Sequence, residues 1–396
     1  MVSTNKFIED STKPAERVAQ APQFDEPPIV DMKKYLNKEP GWEAECKNVI
    51  ESFHKFGICI IRDPRVSHEV NEDYIDMVER YFEEVGDVYY RGEELVDMHQ
   101  ELSYQTGVTP ESIERARNHE EIVRSIPEEH KPMTTYPQTN DAKWRFFWPI
   151  GERPEELQNE IPKVYPRNFP EWENKMDGWG NHMISAIETA SEMSAIGLGL
   201  PDDTFTSKLR HGAHLLSPTA SDLMKYDVGT NFAGFHYDLN FITIHGKSRY
   251  PGLFLWTRDF KKMACKIPQG CLLMQAGRMF EWITGGYVLS GFHEVVYTEA
   301  TKAVRDANIK HNAESNGKKK SLWRISSTLF SHMRYDVDIS PLPELKHLYD
   351  EAEVREKYPQ MTSFECLCEE LKAINLAPKQ SYCDNDQQLQ NGAISE

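Results

Sequence analysis

The stretch GFHYDLNFITIHGKSRYPGLFLW, residues 234–256, decides how this chain folds on paper. Two of its runs, FITIH and GLFLW, are short, rich in β-branched and aromatic residues, and separated by Gly, Ser and Pro, as neighbouring strands are. On a strand, side chains two apart point to the same face, so His236 and Asp238 project together. An imidazole beside a carboxylate supplies two of the three ligands of the facial triad that holds iron(II), which leaves the opposite side of the metal open.

A third ligand has to come from a distant strand. His293 stands in GGYVLSGFHEVVYT (285–298), a Gly turn followed by a strand. Further on, WRISSTLF (323–330) places Arg324 and Ser326 two apart on another strand. An arginine buried in a barrel needs an anion: its planar fork matches a carboxylate with two hydrogen bonds, and a neighbouring hydroxyl adds a third. His-x-Asp alone also occurs on metal-free surface strands, and a lone arginine is commonly an ordinary ion-pair residue. The ordered set of His236, Asp238, His293, Arg324 and Ser326 is what points to a metal beside an acid.

Around this centre, residues 201–340 alternate short β-rich runs (FITIH, GLFLW, CLLMQ, EVVYT, SSTLF) with Gly, Pro and Asp turns, the pattern of an antiparallel barrel or jelly roll. The polar, basic insert KAVRDANIKHNAESNGKKK (302–320) breaks that rhythm and reads as a long loop, with Lys318 to Lys320 a solvated stretch or a mobile basic lid. Upstream, PPIVDM reads as a strand, WEAECKNVIESFHKF (42–56) as a helix stopped at Gly57, GICII (57–61) as a buried strand and residues 69–85 as a second helix. Residues 87–168 read as loops and short helices around the aromatic cluster WRFFW (144–148), which either packs or lines a pocket. A long helix is expected over 171–200. The expected organisation is a flexible arm (1–26), an amino-terminal cap with supporting helices (27–200), the core (201–340), a helical segment (341–376) and a disordered tail (377–396).

Composition narrows the function. The 396 residues carry a formal net charge of −18, which disfavours nucleic acid and anionic membranes, where lysine and arginine must neutralise phosphates. The expectation is a small-molecule partner, with no nucleic acid and no membrane. No apolar run approaches the roughly 18 residues of a membrane span. The start has no signal-like apolar region, and the seven scattered cysteines do not read as a disulfide framework, so a cytoplasmic protein is expected. Cys366 and Cys368 have no second pair at zinc-site spacing, Cys265 and Cys271 read as packed thiols, and His211 with His214 reads as core or solvent histidines.

With these residues in view, the chain resembles the isopenicillin-N-synthase-like branch of the 2-oxoglutarate- and iron(II)-dependent dioxygenases. LMKYDV, FHYDLNFITI, PGLFLW, IPQGCLLMQAG, SGFHEVV, WRISSTLF and RYDVDISPL follow one another in the family's order, behind an opening similar to its amino-terminal cap. The resemblance implies a mostly β core with helices: a double-stranded β-helix (jelly-roll or cupin-like) barrel under an α/β cap. It implies iron(II) on His236, Asp238 and His293, 2-oxoglutarate as cosubstrate with its distal carboxylate on Arg324 and Ser326, Tyr226 as a further donor, and O2 as oxidant. The implied reaction couples decarboxylation of 2-oxoglutarate to succinate with oxidation of a C–H bond in a small, acidic or amino-acid-derived metabolite. Hydroxylation, desaturation and oxidative ring closure, kainoid-type cyclisation among them, remain open. Three departures bear on this: the insert separates His293 from Arg324, Lys225-Tyr226-Asp227 stands where many relatives have a Tyr-Pro pair, and isopenicillin N synthase itself uses its Arg-x-Ser pair for a substrate carboxylate without 2-oxoglutarate. An oxidase of that kind, or a non-catalytic cupin-like binding protein, are the alternatives.

Overall fold

A computed structural model describes residues 26–153 and 161–373. Its strands are β1 (Ile29–Asp31), β2 (Ile58–Arg62), β3 (Gly107–Thr109), β4 (Trp144–Pro149), β5 (Leu215–Asp222), β6 (Asn231–His236), β7 (Ile242–His245), β8 (Leu253–Trp256), β9 (Lys262–Ala264), β10 (Leu272–Ala276), β11 (His293–Val296) and β12 (Trp323–Ser331). They form an eight-stranded sheet in the order β1-β2-β10-β7-β12-β5-β4-β3 and a four-stranded sheet in the order β6-β11-β8-β9. From β5 onward the chain crosses repeatedly between the sheets, with β5, β7, β10 and β12 in the large one and β6, β8, β9 and β11 in the small one. The fold is thus mixed α/β with one large sheet.

Helices cover the outer face of the large sheet. Those at Trp42–Phe56, His68–Tyr90 and Trp172–Gly197 bury Phe53, Tyr81, Phe82, Trp172, Met176 and Trp179, and Trp172 packs edge-on against Phe146 of β4. Because this face is sealed, β7 and β10 are buried along their whole length, so they read as continuous apolar runs rather than clean alternation. Gly180 is tolerated inside the long helix by close approach: a Cβ there would sit 2.1 Å from Ile150 Cδ1.

Two sequence expectations change. Within 87–168, expected to hold loops and short helices, WRFFW forms β4, and β3 extends the sheet beyond it. Trp144, Phe146 and Trp148 turn to the helix-covered face and are fully buried, so they are a packed cluster. The insert 302–320 is not one long loop, since Glu299–Glu314 is a helix. Thr298 caps it, accepting from Thr301 N while Thr301 Oγ1 accepts from Thr298 N. Thr301 is its one buried residue among those described, so no apolar stripe marks this surface helix in the sequence. After it, Asn312 holds the backbone at Lys320 from both sides and Lys318 pairs with Asp76. Beyond residue 340, Pro343–Leu348, Glu351–Lys357 and Ser363–Ala373 are helical. Residues 1–25 and 374–396, which hold nearly all of the expected arm and the whole of the expected tail, lie outside the described residues.

Candidate metal centre and anion site

His236 ends β6, His293 begins β11, and the two stand directly opposite each other in the antiparallel register. Their rings lie 4.2 Å apart, centroid to centroid. Asp238 follows in the turn after β6, with Oδ1 3.7 Å from His236 Nε2 and Oδ2 4.0 Å from His293 Nε2. One donor atom from each residue falls within 4.8 Å of the others, the only such group among the described residues. Two imidazoles and a carboxylate converging on one point suit iron(II).

Hydrogen bonds orient each ligand. His236 Nδ1 donates to the Gly234 carbonyl at 2.6 Å, which turns Nε2 toward the centre. Burial, with His293 next to it, pushes the His236 pKa well below its ordinary value, so the ring is a neutral ligand. Thr243 Oγ1 donates to Asp238 Oδ2 at 2.6 Å, leaving Oδ1 to face the centre. Gly277 allows the loop after β10 to lie against the Asp238 turn, since a Cβ there would meet Asn240 O at 1.9 Å, and Arg278 N donates to Asp238 O at 2.8 Å.

His293 is held by a longer chain of bonds. Its Nδ1 lies 3.0 Å from the Gly291 carbonyl and 2.8 Å from the Gln275 side-chain amide, whose other end is 3.1 Å from His245 Nε2. A carbonyl only accepts, so Nδ1 carries the proton toward Gly291; the Gln275 amide nitrogen faces His293 and its oxygen faces His245, and exchanging the two amide ends, which look alike, lets the oxygen accept from His293 and the NH2 donate to His245. His245, pushed down to about 4 chiefly by burial, is neutral and can accept. Gln275→Leu should weaken iron(II) binding roughly 10- to 100-fold, as loss of a partner behind a metal-bound histidine does. Competition with a chelator measures this, and unchanged affinity would mean that Gly291 alone suffices.

Arg324 lies on the inner face of the large sheet, 7% exposed. Nε donates to the Pro251 carbonyl at 3.1 Å, and no carboxylate among the described residues pairs with the guanidinium. Burial alone lowers its pKa to about 10. Ser326, next on the same face, shares a 3.0 Å hydrogen bond with Thr328. A buried cation without a counter-charge, beside hydroxyls that can donate, is a site for an anion.

Tyr226 has other partners. Its hydroxyl donates to Glu111 Oε2 at 2.5 Å and its ring packs edge-on against Phe232, so its bonding ties it to Glu111 rather than to the Arg324 group. His214 Nδ1 accepts from His332 N at 3.2 Å, and burial pushes its pKa down to about 4. His211 lies nearest Glu152, at 4.0 Å. Neither joins the triad. Cys265 and Cys271 pack around Phe56, Leu255 and Leu273.

Thr243, Gln275 and His245 escaped the sequence reading, although a lone Gln in the apolar strand CLLMQ was an available signal. So did Lys143 and Arg145, hidden between the aromatics of KWRFFW. Asp238 contributes to the field at Arg145 and Lys143 to that at His236, so both cations neighbour the triad.

No family model matches the sequence. The protein named Probable flavonol synthase 5 of Arabidopsis thaliana is 24% identical over 184 residues, 46% of this chain and 50% of that protein, so the match spans half the relative's length. A Caulobacter crescentus protein assigned to the 2OG-Fe(II) oxygenase family superposes with a TM-score of 0.62 at 18% identity, over 87% of this chain and 98% of its own. A full-length Neurospora crassa protein, solved in complex with alpha-KG and thymine, superposes with a TM-score of 0.63 at 15% identity, over 89% and 99%. The chain has the fold of these oxygenases.

Proposed function

We propose that this chain is an iron(II)- and 2-oxoglutarate-dependent oxygenase that oxidises a C–H bond of a small acidic or amino-acid-derived molecule. The observation that carries the reading is Arg324: a buried guanidinium with no carboxylate partner among the described residues, in the same core as a convergent His-Asp-His group. A dicarboxylate held to a metal at one end needs its far end neutralised, and Arg324 with Ser326 offers that. The strands from β5 to β12 are read as the two halves of a double-stranded β-helix spanning 201–340, under a cap from 27 to 200 that adds β1 to β4 to the large sheet, and flanked by the 341–376 segment.

Iron, when bound by His236, Asp238 and His293, supplies the redox chemistry and O2 activation. The residues of the chain hold and orient. The Gly234 and Gly291 carbonyls fix both histidines with Nε2 as the ligand atom, Thr243 fixes the carboxylate, and Arg324 with Ser326 anchors the distal carboxylate of 2-oxoglutarate. The thymine bound to the Neurospora protein shows the small scale of ligand taken by one relative of this fold. Hydroxylation, desaturation and ring closure, including the kainoid type, are all compatible with such an arrangement.

Calorimetry on the anaerobic iron(II) form tests the reading. One 2-oxoglutarate should bind per chain, only with metal present, and in air succinate should form from it. If 2-oxoglutarate does not bind while iron does, the oxidase reading replaces this one, with Arg324 holding the substrate's own carboxylate. If iron does not bind either, the cupin-like binding protein is what remains.

A further inference from the structure

Thr243, the group behind Asp238, has a second neighbour. Its Oγ1 lies 2.6 Å from Asp238 Oδ2 and 3.0 Å from Asn240 Oδ1. A hydroxyl has one proton and donates it once. The Asp238 carboxylate, ionised when it holds a metal, only accepts. With the Asn240 oxygen also turned to Thr243, two acceptors compete for a single proton. Meanwhile Asn240 is 1% exposed and its Nδ2 is buried with no hydrogen-bond partner. An orphaned buried N–H is costly and rare enough to need a reason.

One half-turn of the amide answers both. Its two ends have the same shape, and exchanging them places Nδ2 against Thr243 Oγ1, where it donates to a lone pair of the hydroxyl. The hydroxyl proton is then committed to Asp238 Oδ2. The end left without a partner becomes an oxygen, the milder of the two deficits. Donors that run in one direction along a chain also strengthen each other. Asn240 is placed firmly enough to act this way. Met279 N donates to Asn240 O at 3.2 Å, and the next residue, Phe241, donates to Ser331 O at 2.8 Å and accepts from Gly277 N at 2.9 Å.

We propose that Asn240 is a positioning residue for the metal site: it donates to Thr243, which donates to Asp238 Oδ2 and so keeps Oδ1 turned toward the metal. The inference rests on the reading of His236, Asp238 and His293 as an iron(II) site. Asn240 touches neither metal nor substrate in this arrangement, so its whole effect on the metal passes through the Thr243 hydroxyl.

The test measures iron(II) affinity of the full chain by anaerobic competition with a chelator, with thermal unfolding alongside. Asn240→Leu, close to asparagine in shape, should weaken binding about three- to tenfold, the scale of one neutral hydrogen bond. Thr243→Val should weaken it further, roughly 10- to 100-fold, since that side chain touches the ligand itself. In the Thr243→Val background, Asn240→Leu should change affinity by less than about twofold, because the group it acts through is gone. In the Thr243→Ser background, which keeps a hydroxyl, it should cost as much as in the native chain. Asn240→Ala carries the same cycle if the leucine variant does not fold. Unchanged affinity on substituting Asn240, or an equal loss with and without the Thr243 hydroxyl, would overturn the relay. Failure of the native chain to bind iron(II) would instead overturn the reading beneath it.

Discussion

Replacing His236, His293 or Asp238 singly by alanine should remove most of the bound iron and all turnover, while the fold survives. Each residue supplies one of three donors, and the groups behind them cannot compensate, because Gly234 O, Gly291 O and Thr243 Oγ1 point at the ligands rather than at the metal. Loss of a supporting partner alone weakens metal binding about 10- to 100-fold, so loss of a ligand should exceed that range. The fold is expected to hold because the large apolar core lies under the helices, on the far face of the large sheet. Metal content per chain after gel filtration, with thermal unfolding as the control, measures both. Three variants that keep full iron and full activity would show that the triad is misassigned.

Arg324→Lys should leave iron binding intact and raise the Michaelis constant for 2-oxoglutarate by roughly 10- to 100-fold, the equivalent of one charge-assisted hydrogen bond of about 1.5–3 kcal/mol. The lysine keeps the charge but loses the planar fork. It also loses Nε, which ties the side chain to the Pro251 carbonyl and aims the remaining nitrogens into the core. Arg324→Gln removes the charge as well and should be worse, since the distal carboxylate would then be buried unpaired, at a cost of several kcal/mol. Succinate formation against 2-oxoglutarate concentration gives the constant, with chelator competition reporting iron separately. A lysine variant with an unchanged constant would take the cosubstrate away from Arg324.

Much of this architecture was legible because barrel strands are punctuated. FITIH, GLFLW, CLLMQ and SSTLF sit between turn residues, whereas the reading of His236 and Asp238 as same-face neighbours on one strand needs correcting: β6 ends at His236 and Asp238 lies in the turn after it. Arg324 and Ser326 were legible through period-two alternation. Legibility failed where burial or exposure is two-sided. WRFFW packs one face on helices and the other toward the site, so Arg145 looked like an interruption in an aromatic cluster. The 299–314 helix is exposed almost all round, so no periodic stripe betrayed it. Gln275 and His245 act through each other, on strands about thirty residues apart in sequence, and only the sheet reveals that they meet.

The direct pairing of His236 with His293 has a consequence for how such a chain can diverge. Two ligands that are cross-strand partners keep their meeting only while the hydrogen-bond register between β6 and β11 is kept, and a slip of one residue would turn one imidazole to the opposite face of the sheet. The pairing already shifts register twice between His293 and Val296, so irregularity is accommodated beyond the ligand pair, but a residue gained or lost between His236 and Asp238 would separate the ligands. Length can change freely only where the chain leaves the paired strands, as it does in the turn before β10 and in the helix between Thr298 and Ser315. Within a lineage, those two places should hold much of the record of gained and lost residues, while the interval from His236 to Asp238 should keep its length.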